Sequence, residues 1–255
     1  MDNTRWGVVT PVFNGDKYIL DCMQSVSNQT VKPLHIIQDG LSNDSTLTII
    51  NEFSKSSQNE IDLYSEKDKG IYDGMNKGIS KLDKEFVAIL NSDDFFYKQD
   101  VLERVQLIFD QNPDTMMVYT NVNITDNDKI IRDSSVKKHV SKLEDFFSGI
   151  QLPHPGMFFR GKVYKKMSYQ KNMKISADYE FQLRFFNEYG NKAKFLDIIG
   201  TIQRAGGASQ NGLKAFLLGK YEMILALRNN CNIGFLKSVV VVFKNLLIKR
   251  TQLLK

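Results

Sequence analysis

The sequence predicts an α/β fold, a mostly parallel sheet flanked by helices, with a helical tail at the C-terminus. Three observations lead there. Short apolar runs alternate with segments of helical periodicity through the first half of the chain. Those runs end repeatedly in polar, acid-bearing turns. After Glu222 no acidic residue occurs, while Arg228, Lys237, Lys244, Lys249, Arg250 and Lys255 are all basic. A chain of 255 residues suits one such domain with an appendage, here residues 1–212 and a basic amphipathic tail over 213–255.

The elements follow in order. Trp6–Val12 is a buried strand, and Asp16–Asn28 carries Tyr18, Ile19, Cys22, Met23 and Val26 at helical spacing. Leu34–Gln38 is the second strand, halted at Asp39-Gly40, and Ser45–Phe53 a helix capped by Asp44 or Ser45. Ile61–Tyr64 is a third strand, Ile71–Leu82 a helix, Phe86–Leu90 a fourth strand and Val101–Gln111 another helix. Strands and helices in this alternation imply βαβ crossovers and parallel pairing. Beyond Asn112-Pro113 the pattern loosens. Met116–Thr120, Lys129–Arg132 and Gly156–Arg160 read as strands, with a polar turn at Asp126–Asp128. Ala177–Glu188 is helical, Ala193–Ile202 extended and Leu213–Asn229 a long helix.

Composition excludes several classes. Apolar residues make up 42% and charged residues 25%, the balance of an ordinary globular chain. Cys22 and Cys231 match no metal-ligand spacing and read as buried thiols of a reducing compartment. The start, MDNTRWGVVTP, lacks the pattern of a secretory signal, and no apolar run has the length of a membrane span. No nucleotide fingerprint GxGxxG, P-loop or GxSxG elbow is present. The three histidines, His35, His139 and His154, give no hydrolase triad. The net charge of +5 belongs mainly to the tail and gives no sign of a nucleic-acid partner.

In a doubly wound sheet, ligands bind beyond the carboxyl ends of the strands. Four successive strand ends here present Asn14, then Asp39, then Asp68 with Lys69, then Asp93 with Asp94. The pair in NSDD follows an apolar strand directly, as suits a hard divalent cation that binds a diphosphate. Asp39-Gly40 is equally consistent with an ordinary tight turn. A second carboxylate system is SADYEF, where Asp178 and Glu180 stand at a helix start on different faces.

These segments together resemble the large bacterial family of inverting glycosyltransferases with the GT-A fold, often called family 2. VVTPVFNGDKYILDCMQSVSNQT, IIQDGLSNDST, SEKDKGIYDGMNKGI, VAILNSDD, SADYEFQLRF and GGAS carry the likeness, which spans roughly residues 5–210. The branch resembled is common in the synthesis of capsule, O-antigen and exopolysaccharide. The resemblance implies a single sugar moved from a UDP-hexose or UDP-N-acetylhexosamine to a lipid-linked saccharide, with Mn²⁺ or Mg²⁺. Thr10, Pro11 and Asn14 would line the nucleotide pocket, and Asp39 would bind the base. Asp68, Lys69, Asp73 and Asn76 would surround the ribose, diphosphate and sugar. Asp93 and Asp94 would hold donor and metal. Asp178 would be the catalytic base, with Glu180 the alternative. His154, Glu180 and Arg204 are candidate contacts to acceptor or diphosphate, and Gly206–Ser209 a loop over the site.

No channel-forming helices follow, so one sugar per encounter is expected. Rival readings are a sugar-nucleotide nucleotidyltransferase and a non-catalytic sugar-nucleotide-binding protein. The tail, GFLKSVVVVFKNLLIKRTQLLK, has an apolar face flanked by lysines. Such a helix can lie in a membrane interface, here expected to be the cytoplasmic face of the inner membrane, or pack on the domain or on a partner subunit.

Overall fold

The computed structural model describes residues 4–126, 129–134, 140–206 and 212–253. His139 and residues 207–209 of the expected GGAS loop lie outside them. Strands β1 (Trp6–Val12), β2 (Leu34–Asp39), β3 (Ile61–Ser65) and β4 (Phe86–Ile89) alternate with helices α1 (Ile19–Ser27), α2 (Thr46–Ser56) and α3 (Ile71–Ser80), as the periodicity predicts. Then come β5 (Phe95–Phe96), α4 (Val101–Gln111), β6 (Met117–Asp126), β7 (Lys129–Ser134), β8 (Met157–Arg160) and α5 (Gly161–Lys166). The chain continues through α6 (Ala177–Tyr189), β9 (Ala193–Arg204), α7 (Gly212–Cys231) and α8 (Phe235–Leu253).

All nine strands join one mixed sheet in the order β3-β2-β1-β4-β8-β6-β9-β5, with β7 added on β6. β3, β2, β1 and β4 pair in parallel. β8 runs antiparallel between β4 and β6, and β6 pairs in parallel with β9. The chain grows outward from β1 to β2 and β3, then crosses to β4 on the other side. That reversal opens a crevice at the carboxyl ends of β1 and β4, the switch point where α/β sheets take ligands.

Alternation along β1 divides the core. Trp6 and Val8 join Phe86, Ala88 and residues of α1 and α4 on one face. Val9 joins Ile36, Ile89 and residues of α3 and α6 on the other. β6 is twice as long as expected because Asn121, Asn123 and Thr125 interrupt the apolar pattern. In the sheet these polar residues are nonetheless buried, within the long pairing to β9. β5, with two residues, and α5, with six, were too short to leave a periodic signal.

The C-terminal helices are built onto the domain. Met223, Ala226 and Leu227 of α7 are core residues, as are Val241 and Val242 of α8. The opposite face of α8 leaves Leu236 79% and Phe243 62% exposed. Among the described residues no helix is long and apolar enough to cross a membrane.

Candidate active site

The turns that follow the first three strands are laced together by polar groups. Asn14 adopts a left-handed backbone (φ 50°), so the chain folds back toward the turn after β2. Its N–H donates to Ser42 Oγ at 2.8 Å, and its side-chain oxygen accepts the Asn43 N–H at 3.0 Å. Asp39 ends β2 fully buried. Its carboxylate accepts the N–H groups of Leu41 and Ser42 and the Ser65 hydroxyl from the end of β3, the last at 2.6 Å. Asp68 reaches back over the same turn, and a side chain at Gly40 would meet its carboxylate at 2.7 Å. Asp68 Oδ1 also accepts the Gly70 N–H that opens α3.

Thr10 and Pro11 come from the last turn of β1. Thr10 is fully buried, its hydroxyl 2.9 Å from His35 Nε2 on β2. What Thr10 presents to the crevice is therefore backbone. Pro11 is buried against Gly74 of α3, whose missing side chain lets the helix lie close.

The NSDD turn closes the crevice from β4. A side chain at Gly15 would lie 3.3 Å from Ser92 Oγ, so the ends of β1 and β4 meet here. Asp94 is buried; its oxygens accept from Asn91 Nδ2 at 3.1 Å and the Arg204 N–H at 3.3 Å. Burial first, and the neighbouring Asp93 next, push the Asp94 carboxyl well above the usual carboxylate range. Burial raises Asp93 as well, although that side chain is partly exposed. Arg204, at the end of β9, donates to the Asp93 carbonyl oxygen at 3.0 Å and pairs with Asp21. Its guanidinium is held between the rings of Tyr18 and Phe95. It braces the NSDD turn.

The GIYDGMNKG segment forms most of α3, with Gly70 as its cap. Asp73 accepts the Lys69 N–H at 3.0 Å and pairs with Lys171 at 2.8 Å. The hydrogen bond from Lys171 is the main cause holding the Asp73 carboxyl below its ordinary value. Lys69 itself is exposed. Asn76 makes a two-way clip to the backbone of Tyr169, donating at 2.8 Å and accepting at 2.9 Å. Tyr72 crosses to α6, with its hydroxyl 3.2 Å from Asp178 Oδ1. Asp178 is thus brought up to the GIYDGMNKG segment, and it is partly exposed. His154 lies behind, with Nε2 3.0 Å from the Tyr169 hydroxyl; burial lowers its pKa. Glu180 is not brought to the same place. It is buried, bound by Arg184 at 2.7 Å, and approached by Asn230 of α7.

The model of the family described as Glycosyl transferase family 2 matches residues 7–202, well over half of the chain. The chain belongs to glycosyl transferase family 2. Its chemistry is therefore nucleotide-sugar-dependent glycosyl transfer, not nucleotidyl transfer. It is similar to a PGL/p-HBAD biosynthesis glycosyltransferase of Mycobacterium bovis, 23% identical over 208 residues, or 80% of this chain and 78% of that protein. Its fold is similar to that of S. aureus TarS 1-349 in complex with UDP-GlcNAc, with TM-score 0.71 and 16% identity over 95% of this chain and 72% of that one. A mannosyltransferase from Pyrobaculum calidifontis, PcManGT, in complex with GDP-Man and Mn²⁺, gives TM-score 0.69 and 13% identity over 96% of this chain and 70% of that one. The architecture is the GT-A fold.

The strand-end acids fit a divalent cation. Two neighbouring carboxylates, both raised by burial, face only one nearby cationic side chain, Arg204, among the described residues. A divalent cation bound there would supply the missing positive charge. No described cluster of three His, Cys, Asp or Glu side chains could hold a metal alone. Asp93 and Asp94 would share the ion with oxygens of the donor diphosphate and water.

A cavity of about 370 Å³ lies behind Arg204 near Asp21 and Phe95, and another of about 370 Å³ lies against α4 and β9. Two further residues matter that sequence reasoning missed. Tyr72 is one. Glu222 of α7 is the other: its carboxylate accepts the N–H groups of Lys174, Ile175 and Ser176 at 2.7–2.9 Å and so fixes the turn that presents Asp178. The signal for Glu222 was its place as the last acid before an acid-free tail.

Proposed function

We propose that this chain transfers one sugar, with inversion, from a UDP-hexose or UDP-N-acetylhexosamine to a lipid-linked saccharide. The observation that carries the reading is the presence of two separate carboxylate systems, one at the end of β4 and one beside α3. Asp93 and Asp94 lie at the end of β4, and Asp178 reaches the donor-side segment through Tyr72. Inversion needs this separation. One end of the site stabilises the departing nucleotide diphosphate, and a base on the opposite side takes the proton of the attacking hydroxyl.

Asp39 and the backbone at Thr10 and Pro11 serve the nucleoside, with Asn14 at the mouth of the pocket. Asp68, Lys69, Asp73 and Asn76 shape the bed of the ribose, diphosphate and sugar. Mn²⁺ or Mg²⁺, bound with Asp93 and Asp94, would supply charge neutralisation for the leaving diphosphate. Arg204 and His154 act behind these groups, bracing the NSDD turn and the Tyr169 region. Glu180, turned to Arg184, holds α6 in place and leaves the role of base to Asp178.

The exposed apolar residues of α7 and α8 support an acceptor presented at a membrane. Leu213 and Leu217 of α7 are 72% and 56% exposed, and Leu236 of α8 is the most exposed of this set. Glu222 is turned inward, so outward charge on these helices is basic and complements anionic lipid. We place the enzyme on the cytoplasmic face of the inner membrane, in the assembly of capsule, O-antigen or exopolysaccharide.

Melting curves with UDP-, GDP- and dTDP-sugars test the donor assignment, because a ligand of the folded state raises its apparent stability. A UDP-sugar with Mn²⁺ should raise Tm, and chelation should remove that increment. Asp94→Asn and Asp93→Asn should each lose the Mn²⁺-dependent part. Unchanged Mn²⁺-dependent stabilisation in both variants would remove the metal role from NSDD.

A further inference from the structure

Tyr72 joins the donor-side helix to Asp178. Its ring is 7% exposed and stacks on Tyr169, with centroids 5.9 Å apart. Its hydroxyl lies 2.8 Å from the Ile175 carbonyl oxygen and 3.2 Å from Asp178 Oδ1. A phenol has one proton, and two acceptors stand within its reach. Burial first, and the charge of Asp178 next, hold this phenol well above its ordinary pKa, so it stays a neutral donor. Carbonyl and carboxylate compete for the same proton.

Charge decides the competition. An ionised carboxylate forms the stronger bond, because charge-assisted hydrogen bonds are about twice as strong as neutral ones. Once the carboxyl is protonated that advantage is gone. The phenol proton then turns to Ile175, and the phenol oxygen is free to accept from the carboxylic acid. Ile175 is itself immobilised, since its N–H is bound by Glu222.

We propose that Tyr72 is a positioning residue for Asp178, turning its single proton between the Ile175 carbonyl and Asp178 Oδ1 as the carboxyl changes charge. The inference rests on Asp178 as the base. During transfer the acceptor oxygen bonds the anomeric carbon as the nucleotide diphosphate leaves, and the proton of the broken acceptor O–H bond passes to Asp178. Tyr72 keeps its own proton throughout and changes only its direction. Asp178 therefore has a matched partner before and after the proton moves. Its side chain is held in one orientation, and α3, which carries Asp73, is tied to it. The other titratable groups around this point are His154 of the turn before β8, Tyr169 of the segment before α6, and Glu222 of α7.

The test needs no sugar donor. Protein labelled with ¹³C at aspartate carboxyls and tyrosine Cζ is titrated by NMR, with Asp178 assigned by its loss in Asp178→Asn. Tyr72→Phe keeps the ring and its stack but loses the hydroxyl. The Asp178 titration should move to higher pH in Tyr72→Phe, because a hydrogen bond to the charged form is lost. In the unmodified protein the Tyr72 Cζ resonance should move through the Asp178 titration, and in Asp178→Asn that movement should vanish. The proposal is overturned if the Asp178 titration is the same in both proteins, or if Tyr72 Cζ is silent while Asp178 titrates. A separate turnover assay distinguishes the underlying reading. If Asp178→Asn transfers sugar at the unmodified rate, Asp178 is not the base, and the role of Tyr72 in the reaction falls with it whatever the NMR shows.

Discussion

Asp178 and Glu180 stand two positions apart on α6, and a helix turns such side chains about 200° from each other. The consequence is two different fates. Asp178 meets Tyr72, and Glu180 meets Arg184. His35 shows how a single buried residue sets a pH dependence. It is fully enclosed beside Thr10, and burial lowers its pKa to about 3. In the unfolded chain it would titrate near its ordinary 6.5. Between these values the unfolded state binds a proton that the folded state refuses, so stability falls as pH drops from about 6.5 toward about 3. Above that window His35 costs nothing. Denaturant unfolding from pH 7 to pH 4 should show this acid slope, and His35→Gln should flatten it by one proton. Equal slopes in the two proteins would mean that His35 is charged inside the fold. The acids of NSDD were legible in the sequence because they follow their strand directly. The burial of Thr10 was not, since its partner His35 lies 25 residues away on the neighbouring strand. The different partners of Asp178 and Glu180 were hidden for the same reason, as Tyr72 and Arg184 meet them only in three dimensions.

At the scale of elements, α3 shows a helix fitted to its sheet by missing side chains. Gly74 and Gly78 are one turn apart and face β1 and β2. A Cβ at Gly78 would lie 2.5 Å from Val9 Cγ1. Val9 is fully buried and β-branched, so it has little room to turn away. Gly78→Ala therefore sets two effects against each other. Alanine gains about 1 kcal/mol of helix propensity. Overpacking a filled site costs about 1–3 kcal/mol. The clash should win, and unfolding in denaturant should show a net loss of up to about 2 kcal/mol. A more stable Gly78→Ala protein would show that α3 is not pressed on β1. The alternating strands and helices up to α4 were legible because each element has its own periodicity. β6 was half hidden because its distal residues are polar yet paired on both sides. α8 was read from its apolar face. The structure shows Val242 of that face, with Val241 beside it, against the domain, and Val240 and Phe243 in the open.

At the scale of the whole molecule, the sheet gathers one group of acids at the switch point. The C-terminal helices steady the other carboxylate from behind. Glu222 of α7 fixes residues 174–176, Ile175 supports Tyr72, and Tyr72 meets Asp178. This chain of contacts crosses from residue 72 to residue 222. No local sequence pattern could show it. The fold class was legible because it depends on the repeated alternation of elements. The most direct test of the account is the Asp178→Asn enzyme, assayed for donor affinity and for release of nucleotide during transfer. An amide keeps the shape of the side chain and removes its basicity. Donor affinity should stay close to the unmodified value, and turnover should fall by at least about a hundredfold. Turnover at the unmodified rate would contradict Asp178 as the base.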